Sequence, residues 1–238
     1  MEFILQDKVI LKGVDNRAAF EIKKELTCSN PEYIKLSKLD KWTGSTPKNL
    51  IFYEEKNGQM ICPRGFSDRA YRICKKFHDD IKIIDKRAEL PELDIKFCGK
   101  LKDFQKNAVD SIIKSSHGVL SAGTGSGKTV MALFVIAERK QPTIIVVHTI
   151  ELLNQWIDRT EKFLNINLSE IGIIGAGKYK IGEKITVGLY QSIRKNVKEL
   201  NSLFGQVIVD ECHKCPSKTF TEAVNIAKKK KRKIKGSA

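Results

Sequence analysis

The residues with the most explicit chemistry form one short run, Ser121-Ala122-Gly123-Thr124-Gly125-Ser126-Gly127-Lys128-Thr129. A glycine-rich turn ending in a lysine and a hydroxyl suits the phosphates of a nucleoside triphosphate. Gly123, Gly125 and Gly127 let backbone N–H groups approach phosphate oxygens with no Cβ in the way. Lys128 supplies the cation for the β- and γ-phosphates, and the Thr129 hydroxyl is a ligand for Mg²⁺. Thr124 and Ser126 complete the loop, and Ala122 stands where the pattern G-x-x-x-x-G-K-T has its first glycine. Such a loop works only between a strand and a helix N-terminus, whose dipole favours anions. The flanks meet that need: residues 117–120 read as an apolar strand and residues 130–139 as a helix.

A second run lies downstream. Gln206-Val207-Ile208-Val209-Asp210 is a β-branched segment ending in acid, the pattern of a buried parallel strand. Asp210 would then sit at the strand's carboxyl end, where open α/β sheets bind ligands. There Asp210 is placed to hold Mg²⁺, and Glu211 to activate a water against a γ-phosphate. Lys128, Asp210 and Glu211 are thus the expected catalytic set. Gln105 lies upstream on an amphipathic segment starting at Leu101, and an amide can read an adenine edge. A solvated helix glutamine is the plainer alternative. Two further strand-like segments, 142–148 and 185–192, end in polar groups: His148 and Thr149, and Tyr190, Gln191 and Ser192. Those suit a nucleic-acid backbone or, equally, ordinary strand-end capping.

Composition sets the frame. In 238 residues, 41% are hydrophobic, enough for a real core, and 43 basic against 28 acidic side chains give +15. That excess favours a polyanionic partner. It is uneven: residues 1–100 carry 20 basic and 16 acidic groups (+4), residues 101–238 carry 23 and 12 (+11). Seven of the latter positives fall in residues 228–235, read as the turn into a core strand or as a basic tail. Six cysteines with no secretory leader, and no long apolar run, suggest reduced thiols, a cytoplasmic setting and no membrane. Cys212-His213-Lys214-Cys215 lacks the second ligand pair that a structural zinc needs.

The first hundred residues look like a separate module. Residues 1–13 alternate as short strands, 17–26 read as a helix, and 50–62 as a hairpin around Asn57-Gly58. A helix capped by Ser67 follows. The expected division is a small α+β domain over 1–78, a linker over 79–97, and a nucleotide-binding domain over 98–238, incomplete at its C-terminal end. The expected fold class is α/β, a parallel sheet with helices on both faces, preceded by the α+β domain.

The order L-x-x-F-Q, S-A-G-T-G-S-G-K-T, V-V-H-T-I-E-L-L-N-Q-W, T-V-G-L-Y-Q-S-I, V-I-V-D-E-C-H resembles the first RecA-like domain of superfamily 2 DExH helicases. That superfamily commonly carries alanine at the place of Ala122. The resemblance makes Gln105 the adenine-reading residue, 121–129 motif I, 148–156 motif Ia, 186–193 motif Ib and 210–213 motif II. It makes His213 the residue that couples ATP state to the nucleic-acid site. It implies ATP and Mg²⁺ as cofactors, and a second RecA-like domain or partner chain that supplies arginine fingers. Asn30-Pro31-Glu32-Tyr33 and Pro63-Arg64-Gly65-Phe66 resemble the small N-terminal domain of phage and XPB-like DNA helicases, which implies contact with duplex or branched DNA. Arg64 is the candidate phosphate contact, with Arg69, Arg72, Lys75 and Lys76 as a basic helix face beside it. The final residues resemble an approach to motif III cut short. An ATP-dependent DNA helicase or translocase, present as its N-terminal portion, is the expected function. A DNA-binding module with a vestigial motor half, and the motor subunit of a restriction enzyme, are the rivals, and RNA stays open as substrate.

Overall fold

The computed structural model describes residues 1–6, 8–86, 90–200 and 203–212. It divides into two compact units, Met1–Arg87 and Ala88–Ala238.

In the first unit β1 (Glu2–Leu5) and β2 (Lys8–Lys12) are apolar runs edged by charged residues; in β2 burial alternates, with Val9 and Leu11 inside, while in β1 adjacent Phe3 and Ile4 are both buried. They are followed by α1 (Asn16–Glu25), β3 (Thr27–Ser29), α2 (Pro31–Lys38), β4 (Asn49–Ile51), β5 (Glu54–Lys56), β6 (Gln59–Pro63), α3 (Ser67–Lys75) and β7 (Lys82–Asp85). The main sheet runs β5-β6-β2-β1-β7, antiparallel except for the β1–β7 pair, and β3 with β4 forms a separate ribbon. Asn57 and Gly58, at φ of 53° and 69°, make the β5–β6 turn that Asn-Gly predicts. The core joins Phe3, Val9, Leu11, Met60 and Cys62 of the sheet to Ala18 and Ile22 of α1 and Ala70, Ile73 and Cys74 of α3.

The second unit carries α4 (Asp103–Ile113), α5 (Lys128–Arg139), β8 (Thr143–Val147), α6 (Ile150–Leu164), β9 (Gly172–Gly175), β10 (Lys178–Lys180), β11 (Ile185–Leu189), α7 (Tyr190–Lys195), α8 (Val197–Leu200) and β12 (Gln206–Val209). Its sheet runs β10-β9-β11-β8-β12. All neighbours are parallel except the β9–β10 pair. β8 is buried at every position, as its continuous Thr-Ile-Ile-Val-Val run requires of a strand covered on both faces. One layer packs Leu133 and Ile136 of α5 and Leu153, Trp156 and Ile157 of α6 onto Ile145, Val147, Ile185 and Val187. The opposite layer packs Ile193 of α7 and Leu200 of α8 onto Ile144, Val146 and Ile174.

Several expectations need correction. The stretch 79–97 is no free linker: β7 completes the first sheet, while Ile95, at 3% exposure, lies in the core of the second unit with Leu93 and Phe97 packed beside it. Apolar residues stand among the charged ones that suggested a linker; Ile95 is buried, and Leu93 and Phe97 are partly so. Residues 117–120 form no strand, and Val119 is 79% exposed. No described strand pairs with them, and an unpaired extended segment is not a strand. Segment 185–192 ends as a strand at Leu189, so Tyr190, Gln191 and Ser192 form the first turn of α7. The strand read over the first half of 50–62 splits, β4 pairing with β3 and only β5 with β6. Ser67 is the first residue of α3 and makes no capping bond.

Candidate nucleotide and nucleic-acid site

The glycine loop reaches α5 through two left-handed residues, Gly125 (φ 79°) and Gly127 (φ 81°). Side-chain-bearing residues rarely adopt that region, so the loop's shape depends on glycine there. A Cβ placed on Gly123 or Gly125 would meet nothing within 4 Å, so the loop borders open space. Gly127 is different: a Cβ there would lie 2.5 Å from Nε2 of Gln105. The Lys128 ammonium donates to the loop's own carbonyls, Ala122 O at 2.9 Å and Gly123 O at 3.1 Å. Thr129 follows it in the first turn of α5.

Gln105, only 6% exposed, accepts from the Lys102 N–H at 2.9 Å and donates to Ser126 O at 2.8 Å. Its amide therefore bolts the start of α4 to the loop. The amide keeps a second N–H and a second carbonyl lone pair beyond these two bonds. Arg139 fixes the other end of α4: its guanidinium donates to Ile112 O at 3.2 Å and Ser115 O at 2.7 Å. Burial holds its pKa below the usual arginine value. α4 and α5 are thus clamped at both ends, with Val109, Met131 and Val135 packed between them.

Asp210 follows β12 directly, and its N–H donates to Val146 O at 3.0 Å. Its carboxylate is held twice, by the Trp156 indole N–H at 2.9 Å and by the Glu211 N–H at 3.0 Å. Glu211 adopts φ 50°, a left-handed conformation that costs a non-glycine residue energy and clusters at functional sites. His213 lies outside the described residues, as do 228–235.

Adjacent parallel strands β8 and β11 end side by side, so the rings of His148 and Tyr190 stand 5.6 Å apart at a 34° tilt. Thr149 is the N-cap of α6, its hydroxyl accepting from Leu152 N–H at 3.3 Å. Gln191 and Ser192 follow Tyr190 on α7. In the first unit Arg64 opens the turn between β6 and α3. Two of the four basic residues beside it face carboxylates of α1: Arg69 forks onto Glu25 at 2.5 and 2.9 Å, and Lys76 meets Glu21 at 3.2 Å. That pairing is invisible in the residue pattern, because the partners lie 44 and 55 positions away.

A family model described as "Type III restriction enzyme, res subunit" (ResIII) matches residues 99–236. The chain belongs to the ResIII family. This ResIII chain is 36% identical over 153 residues to a DNA 3'-5' translocase, XPB2, of Sulfurisphaera tokodaii, covering 64% of this chain and 33% of that protein. It is 30% identical over 216 residues to a putative ATP-dependent RNA helicase of Acanthamoeba polyphaga mimivirus, covering 87% of this chain and 39% of that one. The crystal structure of the UvsW helicase from bacteriophage T4 matches with a TM-score of 0.68 at 19% identity, covering 96% of this chain and 89% of that chain. The likeness to UvsW establishes a shared fold, and the motif order is that of a superfamily 2 helicase domain. The ResIII chain spans about a third of the length of these curated relatives, at 33% and 39%.

Two residues that hold the site together, Trp156 and Arg139, were not singled out from sequence. Trp156 ends the motif Ia run, and a tryptophan on an apolar helix face reads as core. Its lone N–H, which must find an acceptor when buried, was the available signal. Arg139 carried only its place in the last turn of α5.

Proposed function

We propose that this chain is the N-terminal portion of an ATP-dependent DNA helicase or translocase, a nucleotide-binding motor half preceded by a DNA-contacting module. The observation that carries the reading is the loop 121–129, bolted to α4 by Gln105 and opening into α5 at a glycine-shaped N-terminus. The donor set suits ATP: consecutive loop amides beside open space, a lysine whose partners are loop carbonyls, and a hydroxyl next to it. Lys128 then exchanges its carbonyl contacts for β- and γ-phosphate oxygens. Thr129 and Asp210 would hold Mg²⁺, which when bound neutralises charge that builds on the phosphates. Glu211 orients and deprotonates the attacking water.

His148, Thr149, Tyr190, Gln191 and Ser192 form the motor half's contact with the nucleic-acid backbone, and Arg64 the module's. Backbone contacts alone do not separate DNA from RNA, but the XPB2 relative, named a DNA translocase, favours DNA. His213 couples the two sites, and arginine fingers come from a second RecA-like domain or partner chain. A cytoplasmic setting completes the proposal. The family model's own description supports a second reading, the motor subunit of a restriction enzyme, although UvsW matches across the first unit as well.

The test is nucleotide binding by the 238-residue chain with a fluorescent ATP analogue, alongside Lys128→Ala. Loss of binding in the variant with retained folding supports the assignment. Undiminished affinity in Lys128→Ala would sink it. Binding of forked DNA that outcompetes RNA of equal length separates the two substrates.

A further inference from the structure

We propose that Trp156 positions the Asp210 carboxylate, and that through this contact helix α6 sets how tightly the site holds a divalent cation. The proposal rests on the reading of Asp210 as a metal ligand.

Asp210 follows the last residue of β12, the edge strand of its sheet among the described residues, so backbone pairing alone does not fix its side chain. Two hydrogen bonds do so instead. The Glu211 N–H donates to Oδ1 at 3.0 Å. The Trp156 indole takes Oδ2 at 2.9 Å. With one bond to each oxygen the carboxylate plane is set, and lone pairs remain on both oxygens for a cation or its waters.

Trp156 is itself immobile. It is 2% exposed, and it packs in one apolar cluster with Leu133 and Ile136 of α5, Leu153 and Ile157 of its own helix, and Ile145 and Val147 of β8. An indole N–H buried among such groups needs an acceptor, because leaving it unmade carries the full desolvation cost. The ring cannot turn away from Asp210 without repacking α6. That helix begins at Thr149, next to His148, which stacks near Tyr190 at the strand ends read as the nucleic-acid contact. A displacement of α6 by a bound backbone therefore moves Nε1, and with it the carboxylate. The same helix ties two sites: a polyanion at its N-terminus and a cation near its second turn. By linkage, whatever the nucleic acid does to cation affinity the cation does to nucleic-acid affinity.

Trp156→Phe separates positioning from packing, since it keeps an aromatic ring and removes only the donor. In the full chain, Mn²⁺ and Mg²⁺ are titrated against a fixed concentration of fluorescent ATP analogue. Removing a hydrogen bond that orients a metal-binding carboxylate typically weakens metal affinity by about 10–100-fold, so the metal midpoint should rise by at least that lower factor. Metal-free nucleotide binding, which uses the loop, should stay within about twofold. A single-stranded oligodeoxynucleotide should shift the metal midpoint of the parent chain and shift that of Trp156→Phe far less. A wild-type metal midpoint in folded Trp156→Phe overturns the proposal. If Asp210→Ala also leaves the midpoint unchanged, the metal-ligand reading fails with it; if Asp210→Ala moves it and Trp156→Phe does not, only the positioning role fails.

Should Trp156→Phe not fold, the ring itself reports. The chain has two tryptophans, and Trp42→Phe leaves Trp156 as the sole emitter. Its emission should change when metal joins the nucleotide, and not in the Asp210→Ala version. Emission indifferent to metal in the parent overturns the proposal as well.

Discussion

Gly127→Ala offers a quantitative test of how the loop is held. Two separate penalties act at this position. Alanine at φ 81° costs roughly 1–2 kcal/mol by left-handed backbone strain alone. Its Cβ would also lie 2.5 Å from Gln105 Nε2. A glutamine end is flexible, but this one is buried and bonded at 2.8 Å to Ser126 and 2.9 Å to Lys102. Moving it aside breaks one or both bonds, each worth about 1 kcal/mol and more where a partner stays buried and unsatisfied. Together the substitution should cost about 3–4 kcal/mol. In a Gln105→Ala background the obstacle is gone, and only the roughly 1–2 kcal/mol of backbone strain remains. The double-mutant cycle should therefore give a coupling near 2 kcal/mol, well above the ~0.5 kcal/mol seen for independent sites. Urea unfolding followed by Trp156 fluorescence in a Trp42→Phe chain measures all four corners. An equal cost for Gly127→Ala in both backgrounds would refute the contact between Gln105 and the loop.

Three further outcomes follow. Burial pushes the Cys62 thiol up to about 12 and the Cys74 thiol up to about 11 from an ordinary 9.0. Both native thiols stay protonated while the unfolded chain ionises, so first-unit stability is full below about pH 9 and falls as the pH climbs towards those values. Circular dichroism melts across that range show it, and iodoacetamide at neutral pH should label exposed Cys28 and Cys98 while sparing Cys62 and Cys74. Glu25→Gln releases Arg69 from its fork, so DNA affinity should rise and the salt slope steepen by up to about one. A slope that does not change shows that Arg69 lies away from the DNA. Arg139→Ala strips two carbonyls at the end of α4 of a charged donor and should cost about 2–3 kcal/mol in urea unfolding.

The motor half was legible because its chemistry is local. The glycine spacing of 123, 125 and 127 dictates the loop whatever surrounds it, and the Val-Ile-Val run before Asp210 announces a strand by composition alone. What sequence reading missed depends on residues far apart in the chain. Residues 117–120 have strand composition but no described strand beside them, and pairing is not a property of the segment itself. The linker failed for the reverse reason: Pro91 and the charges around it mark a boundary, yet Ile83 and Ile84 find a partner in β1 more than 75 positions upstream. Gln105 was found, but its bond to Ser126 was not, since it reaches across 21 positions. Trp156 and Asp210 stand 54 apart, and neither announces the other.

In the contact of Lys128 with the Ala122 and Gly123 carbonyls, the two carbonyl oxygens are an internal surrogate for phosphate oxygens. The loop keeps its curvature by binding its own cation, so nucleotide entry is a substitution of partners and not the assembly of a site. Part of the phosphate's attraction goes to displacing the resident contacts, which lowers equilibrium affinity. The same contacts are available to receive the ammonium as product leaves, which shortens residence. On the motor reading proposed above, a loop that can close on itself eases release of the product nucleotide.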